Sequence, residues 1–267
     1  MAKKHILLSL ALGWTFALTG IGAVRADAPL QPERDGTVTA AADLKPVLPA
    51  DGKTIQFGDR AEGVVKNGKP VTKGWTSLFD GKTLKGWVYE PGYWVVKDGA
   101  IVGDKHGSTP HHHYMFSDKD YSDLEMHIDF KMTGYNSGVC ARIKPKTFDD
   151  VPGYQVDEGD GYWGCLWDEH HRQKKIFDFP GDKQTKVLNK DGWNHYYFRM
   201  QGPHITIFLN GIKTAEGDDP EGFKSGPLGF QLCHGENTVA QFKNIYVKPL
   251  APPTKGTAPV VPATVEP

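Results

Sequence analysis

Alternation of apolar and polar residues dominates the central part of this chain. Leu124, Met126, Ile128, Phe130 and Met132 are apolar, and every residue between them is polar or charged. Because successive side chains of an extended strand point to opposite faces, this segment predicts a strand with one buried face. The same reasoning predicts further strands over 93–96, 139–144, 195–200, 205–209, 212–215, 228–232 and 242–247.

Turn signals separate the predicted strands. Asn210-Gly211 and Asp98-Gly99 suit two-residue type I′ hairpin turns, which need a positive φ at both positions. No long apolar pattern of helical period and no internal repeat interrupts this series. The chain is therefore expected to be all-β, an antiparallel β-sandwich of the jelly-roll kind.

The N-terminus predicts export. Lys3, Lys4 and His5 form a basic region, residues 6–24 are almost wholly apolar, and Val24-Arg25-Ala26 resembles a cleavage site. We expect residues 1–26 to be a signal peptide and the mature protein to be periplasmic or secreted, without a membrane-spanning segment. The length of the apolar run leaves an uncleaved membrane anchor open as the alternative.

Composition divides the rest of the chain. Residues 27–73 are polar, without sustained periodicity, and are expected to form a partly ordered lead-in. Residues 249–267 are rich in Pro, Ala and Thr and predict a flexible tail. The domain is expected over residues 74–248, a size that one hydrophobic core can serve.

The overall charge and the cysteines exclude some classes of protein. A net charge of -1 argues against nucleic acid as a partner, since that would require a basic face. Cys140, Cys165 and Cys233 are too few for a disulfide scaffold and lack the spacing of a zinc site. They are expected to be small buried residues.

The segment 153–172, GYQVDEGDGYWGCLWDEHHR, concentrates acids, histidines and aromatics. In a strand, Gln155 and Asp157 would share one face, and Tyr154, Val156 and Glu158 the other. Aromatic planes beside fixed polar groups suit a sugar, whose CH faces stack and whose hydroxyls need hydrogen-bond partners. The segment is therefore predicted to form one wall of a sugar site.

Several phrases, taken in order, resemble one family. LFDGKTLKGW (78–87), YSDLEMHIDFKM (121–132), NSGVCARI (136–143), GYQVD (153–157), YWGCLWDE (162–169) and GPLGFQLCHG (226–235) are similar to the 3-keto-disaccharide hydrolase family. The resemblance implies a concanavalin-like jelly roll that acts on glycosides oxidised at C3. It further implies 1,2-elimination followed by rehydration, with net hydrolysis, and a functional link to a sugar 3-dehydrogenase.

That chemistry needs a base near C2, an acid near the glycosidic oxygen and a group that holds the enolate oxygen. Asp157 is the first candidate for the base, Asp168 and Glu169 are alternatives and candidates for the acid, and Arg142 is a candidate to hold the enolate. His234 lies where the family also carries a histidine, and imidazole titrates in the useful range. The candidate substrate-binding residues are Gln155, Trp163, Trp167, Arg172 and Gln231.

The sequence contains two candidate sites for a metal ion. Asp157 is a candidate ligand as well as a base, and carboxylates with histidines would accept several divalent cations. In the triple histidine 111–113, His111 and His113 would share a strand face and could hold a metal, although a solvated loop is favoured. Trp167, His170 and His171 are expected to influence the choice of substrate.

Two other functions compete with the lyase. Sandwich-fold glycosidases use paired carboxylates, but the position that a nucleophile would take is the neutral amide of Gln155. Asp157 and Asp168 could still form the pair of an inverting glycoside hydrolase. The third interpretation is a lectin-like module that binds carbohydrate without catalysis.

Overall fold

The structure is a computed structural model that describes residues 54–55, 65–104 and 107–252. The predicted signal peptide, most of the lead-in and residues 253–267 of the predicted tail lie outside the described residues. No helix in the described part of the chain is long and apolar enough to cross a membrane.

Strands make up most of the described residues, which include one short helix, α1, at Gly181–Val187. The strands are, in chain order, β1 Thr54–Ile55, β2 Val65–Lys66, β3 Lys69–Pro70, β4 Thr76–Ser77, β5 Trp87–Tyr89, β6 Trp94–Lys97, β7 Ala100–Asp104, β8 Ser108–Thr109, β9 His113–Tyr121, β10 Leu124–Thr133, β11 Asn136–Ala141, β12 Gly153–Gly159, β13 Leu166–Glu169, β14 Lys174–Phe177, β15 Asn194–Gln201, β16 His204–Leu209, β17 Ile212–Asp218, β18 Gly226–Leu232, β19 Gly235–Glu236 and β20 Val239–Pro249.

Two large antiparallel sheets form the domain. One sheet has the order β14-β13-β12-β11-β18-β9-β5. The other has the order β17-β16-β15-β10-β20-β7-β6, with β4 beside β20. Small additional sheets join β1-β2-β3 and β19-β8. This architecture is the predicted all-β jelly-roll sandwich.

The core lies between the two large sheets. Leu124, Met126, Ile128 and Phe130 of β10 are fully buried, as their alternation predicts. The ring of Phe230 in β18 stacks on Phe242 in β20, with centroids 4.1 Å apart, and so connects the sheets. Each buried side chain of this size contributes ~1.5–3 kcal/mol. Because both sheets supply such side chains, the core holds the seven-stranded sheet against the other one.

Local signals also match the structure. Asn210 and Gly211 have φ values of 51° and 85°, as a type I′ turn requires. Cys140, Cys165 and Cys233 are buried, as predicted, and none of the three forms a disulfide.

Candidate active site

The face of the seven-stranded sheet that points away from the core is polar. Val156 of β12 points into the core, so its neighbours Gln155 and Asp157 lie on the other side. The strand register aligns Gln155 with Cys140 and Trp167. We call this surface the polar face and define it by six residues: Tyr114, Cys140, Gln155, Asp157, Trp167 and Gln231.

A chain of hydrogen bonds forms the floor of the polar face. The side-chain amide of Gln155 donates to Oε1 of Gln231 at 3.2 Å, and that of Gln231 donates to the hydroxyl of Tyr114 at 2.6 Å. The thiol of Cys140 donates to Oε1 of Gln155 at 3.5 Å. The two predicted sugar binders therefore hold each other, and the hydroxyl of Tyr114 keeps its proton for donation.

Gly138 makes this floor sterically feasible. It lies opposite both Asp157 and Gln231 in the register. A Cβ atom at position 138 would lie 2.3 Å from Cγ of Gln155, which is far inside van der Waals contact. Glycine is required there because the Gln155 side chain crosses β11 to reach Gln231.

Asp157 is a buried carboxyl group with a pKa near neutral pH. Its Oδ1 accepts hydrogen bonds from the side-chain amide of Asn136 and from the backbone N–H of Glu158, each at 2.8 Å. Burial raises the pKa of Asp157 to about 7, the hydrogen bond from Asn136 opposes this rise, and the charge of Glu169 adds to it. A carboxylate with such a pKa suits a general base at neutral pH.

A histidine cluster lies over the polar face; it comprises His112, His170 and His234, with Glu169 and Cys233. The ring of His112 is 4.9 Å from that of His234 and 5.7 Å from that of His170, between centroids. Strands β9 and β13 are separated by three other strands in the sheet order. The turn after β13 must therefore bend over the face, and His170 begins this turn with a φ of 51°.

The histidine cluster can hold a metal ion. Ligand atoms of His112, Glu169 and His170 lie within 4.8 Å of one another, and so do those of His112, Cys233 and His234. In His170, Nε2 lies 3.2 Å from Oε1 of Glu169, while Nδ1 lies 3.2 Å from Oδ1 of Asp150.

The carboxylate of Asp150, on the far nitrogen of the ring, would orient His170 for binding a metal through Nε2. Burial alone would lower the pKa of His170, but the hydrogen bonds and charges of Glu169 and Asp150 outweigh burial and raise it. Carboxylate and imidazole donors at these distances fit a divalent cation.

Arg142, the candidate to hold the enolate, lies elsewhere. Its guanidinium is fully buried and donates hydrogen bonds to the backbone carbonyls of Ser122 and Gly202 and to the carboxylate of Asp123. Burial lowers the pKa of Arg142, and Asp123 counteracts this effect. The structure thus gives Arg142 a structural role that connects β11 to two neighbouring turns.

Asp168 and Arg172 also lie away from the polar face. Asp168 points to the side opposite Glu169, because the two residues are consecutive in β13. Arg172 pairs with Asp168 and with Asp219, and Asp219 accepts a hydrogen bond of 2.6 Å from the hydroxyl of Tyr154. These side chains form a separate ion-pair network. Asp168 is therefore not brought together with Asp157, as an inverting pair would require.

The two predicted aromatic sugar platforms have different positions. Trp163 belongs to the core, where its ring stacks on Phe130 with centroids 6.1 Å apart. Trp167 lies on the polar face, with the ring of Tyr162 edge-on at 5.9 Å. The structure therefore retains Trp167 as a candidate and removes Trp163.

Sequence reasoning missed part of the site. It considered His111 and His113 as the metal pair, but the metal-capable groups of the described residues include His112 and neither of those. Nδ1 of His113 lies 2.9 Å from Glu90, and its ring stacks on Tyr93 at 3.4 Å. Tyr114 and Asn136 were not assigned to the site, and His170 was expected to influence the choice of substrate rather than to bind a metal.

The domain matches a known family profile. Residues 74–248 match the 3-keto-alpha-glucoside-1,2-lyase-like domain. The chain belongs to this family. Membership supports a carbohydrate-active role.

The chain is also similar to solved structures. The chain is similar to a candidate glycosyl hydrolase from Parabacteroides distasonis ATCC 8503, with 24% identity over 66% of this chain and 99% of that chain, at a TM-score of 0.49. It is also similar to the carbohydrate-binding module CBM66 from Bacillus subtilis, with 16% identity over 61% and 95% of the two chains, at a TM-score of 0.48. No curated protein matches the chain.

Proposed function

We propose that this protein cleaves 3-keto-glycosides by removing the C2 proton, eliminating the C1 substituent and adding water to the resulting glycal. The observation that carries this proposal is Asp157, a carboxyl group with a pKa of about 7 on the same sheet face as the histidine cluster. Elimination needs only one base at the sugar ring, whereas direct hydrolysis needs a second carboxylate that Gln155 does not supply.

Asp157 acts as the base. Oδ1 already accepts two hydrogen bonds, and no described donor binds Oδ2, so Oδ2 takes the C2 proton. The C–H electron pair forms a C2–C3 double bond and places negative charge on the ketone oxygen. Collapse of this enolate moves the double bond to C1–C2 and expels the glycosidic oxygen, which then takes up a proton. Water finally adds across the glycal, so that the net reaction is hydrolysis.

Two groups would stabilise the enolate oxygen. A divalent cation held by His112, Glu169 and His170 would supply positive charge for that oxygen when bound. The hydroxyl of Tyr114 can donate a hydrogen bond, since its oxygen already accepts one from Gln231. Glu169 and His170 hold each other in place, and Asp150 fixes the ring of His170 from behind.

We assign His234 as the proton donor to the leaving oxygen. Its ring meets the ring of Tyr135 edge-on at 5.5 Å between centroids, and Tyr135 is 51% exposed. His234 therefore borders solvent, where the leaving group would depart. An imidazole exchanges protons readily near neutral pH.

The decisive experiment follows the C2 hydrogen. Purified protein is incubated with 3-keto-trehalose or 3-keto-sucrose in D2O, with and without divalent cations, beside an enzyme-free control. Elimination and rehydration place deuterium at C2 of the released 3-keto-glucose faster than spontaneous exchange does. Release without deuterium would indicate direct hydrolysis, and binding of unoxidised sugars without any turnover would indicate a lectin-like module.

Two neighbouring residues provide a matched pair of variants. Asp157→Asn removes the base and should abolish turnover. Glu158→Gln should retain it, because burial keeps the pKa of Glu158 well above its usual range and glutamine resembles the neutral acid. Equal activity in both variants would overturn the role of Asp157.

We also propose that the protein acts after export, downstream of an enzyme that oxidises the C3 hydroxyl of glycosides. The reaction requires that ketone, so a sugar 3-dehydrogenase must supply the substrate. Fractionation of cells that express the full chain, compared with a chain lacking residues 1–26, tests the export. Full-length protein that stays in the cytoplasmic fraction with its N-terminus intact would contradict it.

A further inference from the structure

Three residues of the histidine cluster, His112, Cys233 and His234, lie close enough together to bind one ion, and the proposed reaction does not use them together. Cys233 follows β18 directly and precedes His234, and continuation of the register from the pair Leu232–His113 places it beside His112, the residue before β9. The Sγ atom of Cys233 lies 3.4 Å from Nδ1 of His234. Ligand atoms of all three residues lie within 4.8 Å of one another.

We propose that His112, Cys233 and His234 form a second cation site, which binds Zn²⁺ and other thiophilic cations and inhibits the enzyme. Both trios contain His112 and a second histidine, but this one offers the thiolate of Cys233 where the other offers the carboxylate of Glu169. Thiolates select soft cations such as zinc, whereas carboxylates also suit harder ones such as Mn²⁺ and Mg²⁺.

The geometry fits tetrahedral zinc. Bond lengths of about 2.3 Å to sulfur and about 2.0 Å to nitrogen at a tetrahedral angle place the two ligand atoms about 3.5 Å apart. The observed separation between Cys233 and His234 is 3.4 Å. The rings of His112 and His234 are nearly perpendicular, at 87°, so they can approach one ion from different directions. The backbone N–H of His234 donates a long hydrogen bond of 3.4 Å to Nδ1 of His112, and a cation on that nitrogen would replace it.

Inhibition follows because both trios use His112. A single imidazole cannot complete both cation sites at once, so zinc on Cys233 withdraws one ligand from the trio with Glu169. Zinc would also occupy His234, the proton donor in the proposed reaction. The binding part of this inference stands on geometry alone, whereas the inhibition part rests on the proposed function.

Cobalt spectroscopy tests the binding part without any substrate. The metal-free wild-type protein, titrated with Co²⁺, should develop a near-ultraviolet charge-transfer band from cobalt–thiolate bonding. One equivalent of Zn²⁺ should remove this band. Cys233→Ala should lack the band, whereas the matched variant of another buried cysteine, Cys165→Ala, should keep it. Glu169→Gln should also keep it, because it alters only the other trio.

The wild-type protein supplies a readout that does not depend on the folding of variants. X-ray absorption of its zinc complex should show one sulfur ligand with nitrogen or oxygen neighbours. Zinc with nitrogen and oxygen ligands only, or a cobalt–thiolate band that persists in Cys233→Ala, would overturn the site.

Activity assays address the inhibition separately. The zinc concentration that halves the rate, with each protein measured against its own zinc-free rate, should rise at least tenfold in Cys233→Ala. An unchanged value would overturn the inhibitory role even if the zinc complex contains sulfur. If no protein turns over 3-keto-glycosides, the proposed function fails, while the spectroscopy still decides the site.

Discussion

The side-chain amide of Asn136 donates a hydrogen bond of 2.8 Å to Oδ1 of Asp157. This bond favours the ionised carboxylate, whereas the burial of Asp157 favours the neutral acid. A pKa of about 7 is the balance of these two effects with three smaller ones: the charge of Glu169 raises the pKa, and the backbone N–H of Glu158 and the charge of Lys175 lower it. Asn136 therefore adjusts the strength of the proposed base, although its position at the start of a strand resembles that of an ordinary turn residue.

Removal of this donor should shift the pH profile. In Asn136→Ala the pKa of Asp157 should rise further above 7, because burial then acts with less opposition. The acidic limb of kcat/KM against pH should move to higher pH, while the rate at high pH changes less. An unmoved limb with a uniformly lower rate would contradict this role and would indicate that Asn136 contacts the substrate instead.

The buried acid should also make stability depend on pH. Burial raises the pKa of Asp157 from 3.8 to about 7, so the native state holds a proton that the unfolded state has lost between these values. The free energy of unfolding therefore falls as pH rises through this window, by up to ~1.4 kcal/mol for each pH unit.

Asp157→Asn cannot ionise and should escape this loss. Urea unfolding at pH 5 and pH 8 should show that the variant gains stability relative to wild type by roughly 2–4 kcal/mol at the higher pH. If the two proteins differed in free energy of unfolding by the same amount at both pH values, the pKa of Asp157 would not be raised. Stability gained with activity lost is the expected trade-off for a functional residue.

Local alternation predicted the parts of the site that lie within one strand. Gln155 and Asp157 share a face because they are two residues apart in β12. The same rule separates Asp168 from Glu169, and it could have removed Asp168 from the candidates. The alternation rule does not apply to Arg142, because its φ of 52° ends the strand geometry at that residue.

The parts that were missed depend on tertiary structure. Which of three consecutive histidines reaches the site depends on where β9 begins, and it begins at His113. His170 approaches His112 only because a turn bends across three intervening strands. Neither the start of the strand nor the bend of that turn has a local signal, so the proximity of His112 and His170 emerges only in three dimensions.

The consecutive acids of β13 should respond differently to neutralisation. Glu169→Gln should weaken binding of a divalent cation and abolish turnover, because it removes a ligand beside His112 and His170. Asp168→Asn should keep both properties but lose about 1–3 kcal/mol of stability, since the buried Asp168 pairs with Arg172 and His171. Isothermal titration with Mn²⁺, steady-state kinetics and urea unfolding measure the three properties. The opposite pattern would place the cation near Asp168.

Arg142 should prove to be structural. Its guanidinium pairs with Asp123 at 3.0 Å, with the side chains 1% and 8% exposed. Arg142→Met leaves Asp123 buried beside a neutral partner, which should cost about 3–5 kcal/mol of unfolding free energy. The folded variant should keep its affinity for Mn²⁺, because the partners of the guanidinium in the described part of the chain include no group of the histidine cluster.

Lys146→Met is the matched control for this prediction. Lys146 pairs with Asp150 at the same distance of 3.0 Å, but the two side chains are 61% and 38% exposed. Solvent screens such a pair, so its loss should cost less than about 1 kcal/mol. Urea unfolding of both variants compares a buried with an exposed ion pair at the same distance.

One outcome would contradict the structural role of Arg142. If Arg142→Met unfolded like wild type and yet lost turnover of 3-keto-glycosides, Arg142 would have to act on the substrate. The assignment of the enolate-holding role to the histidine cluster would then be wrong.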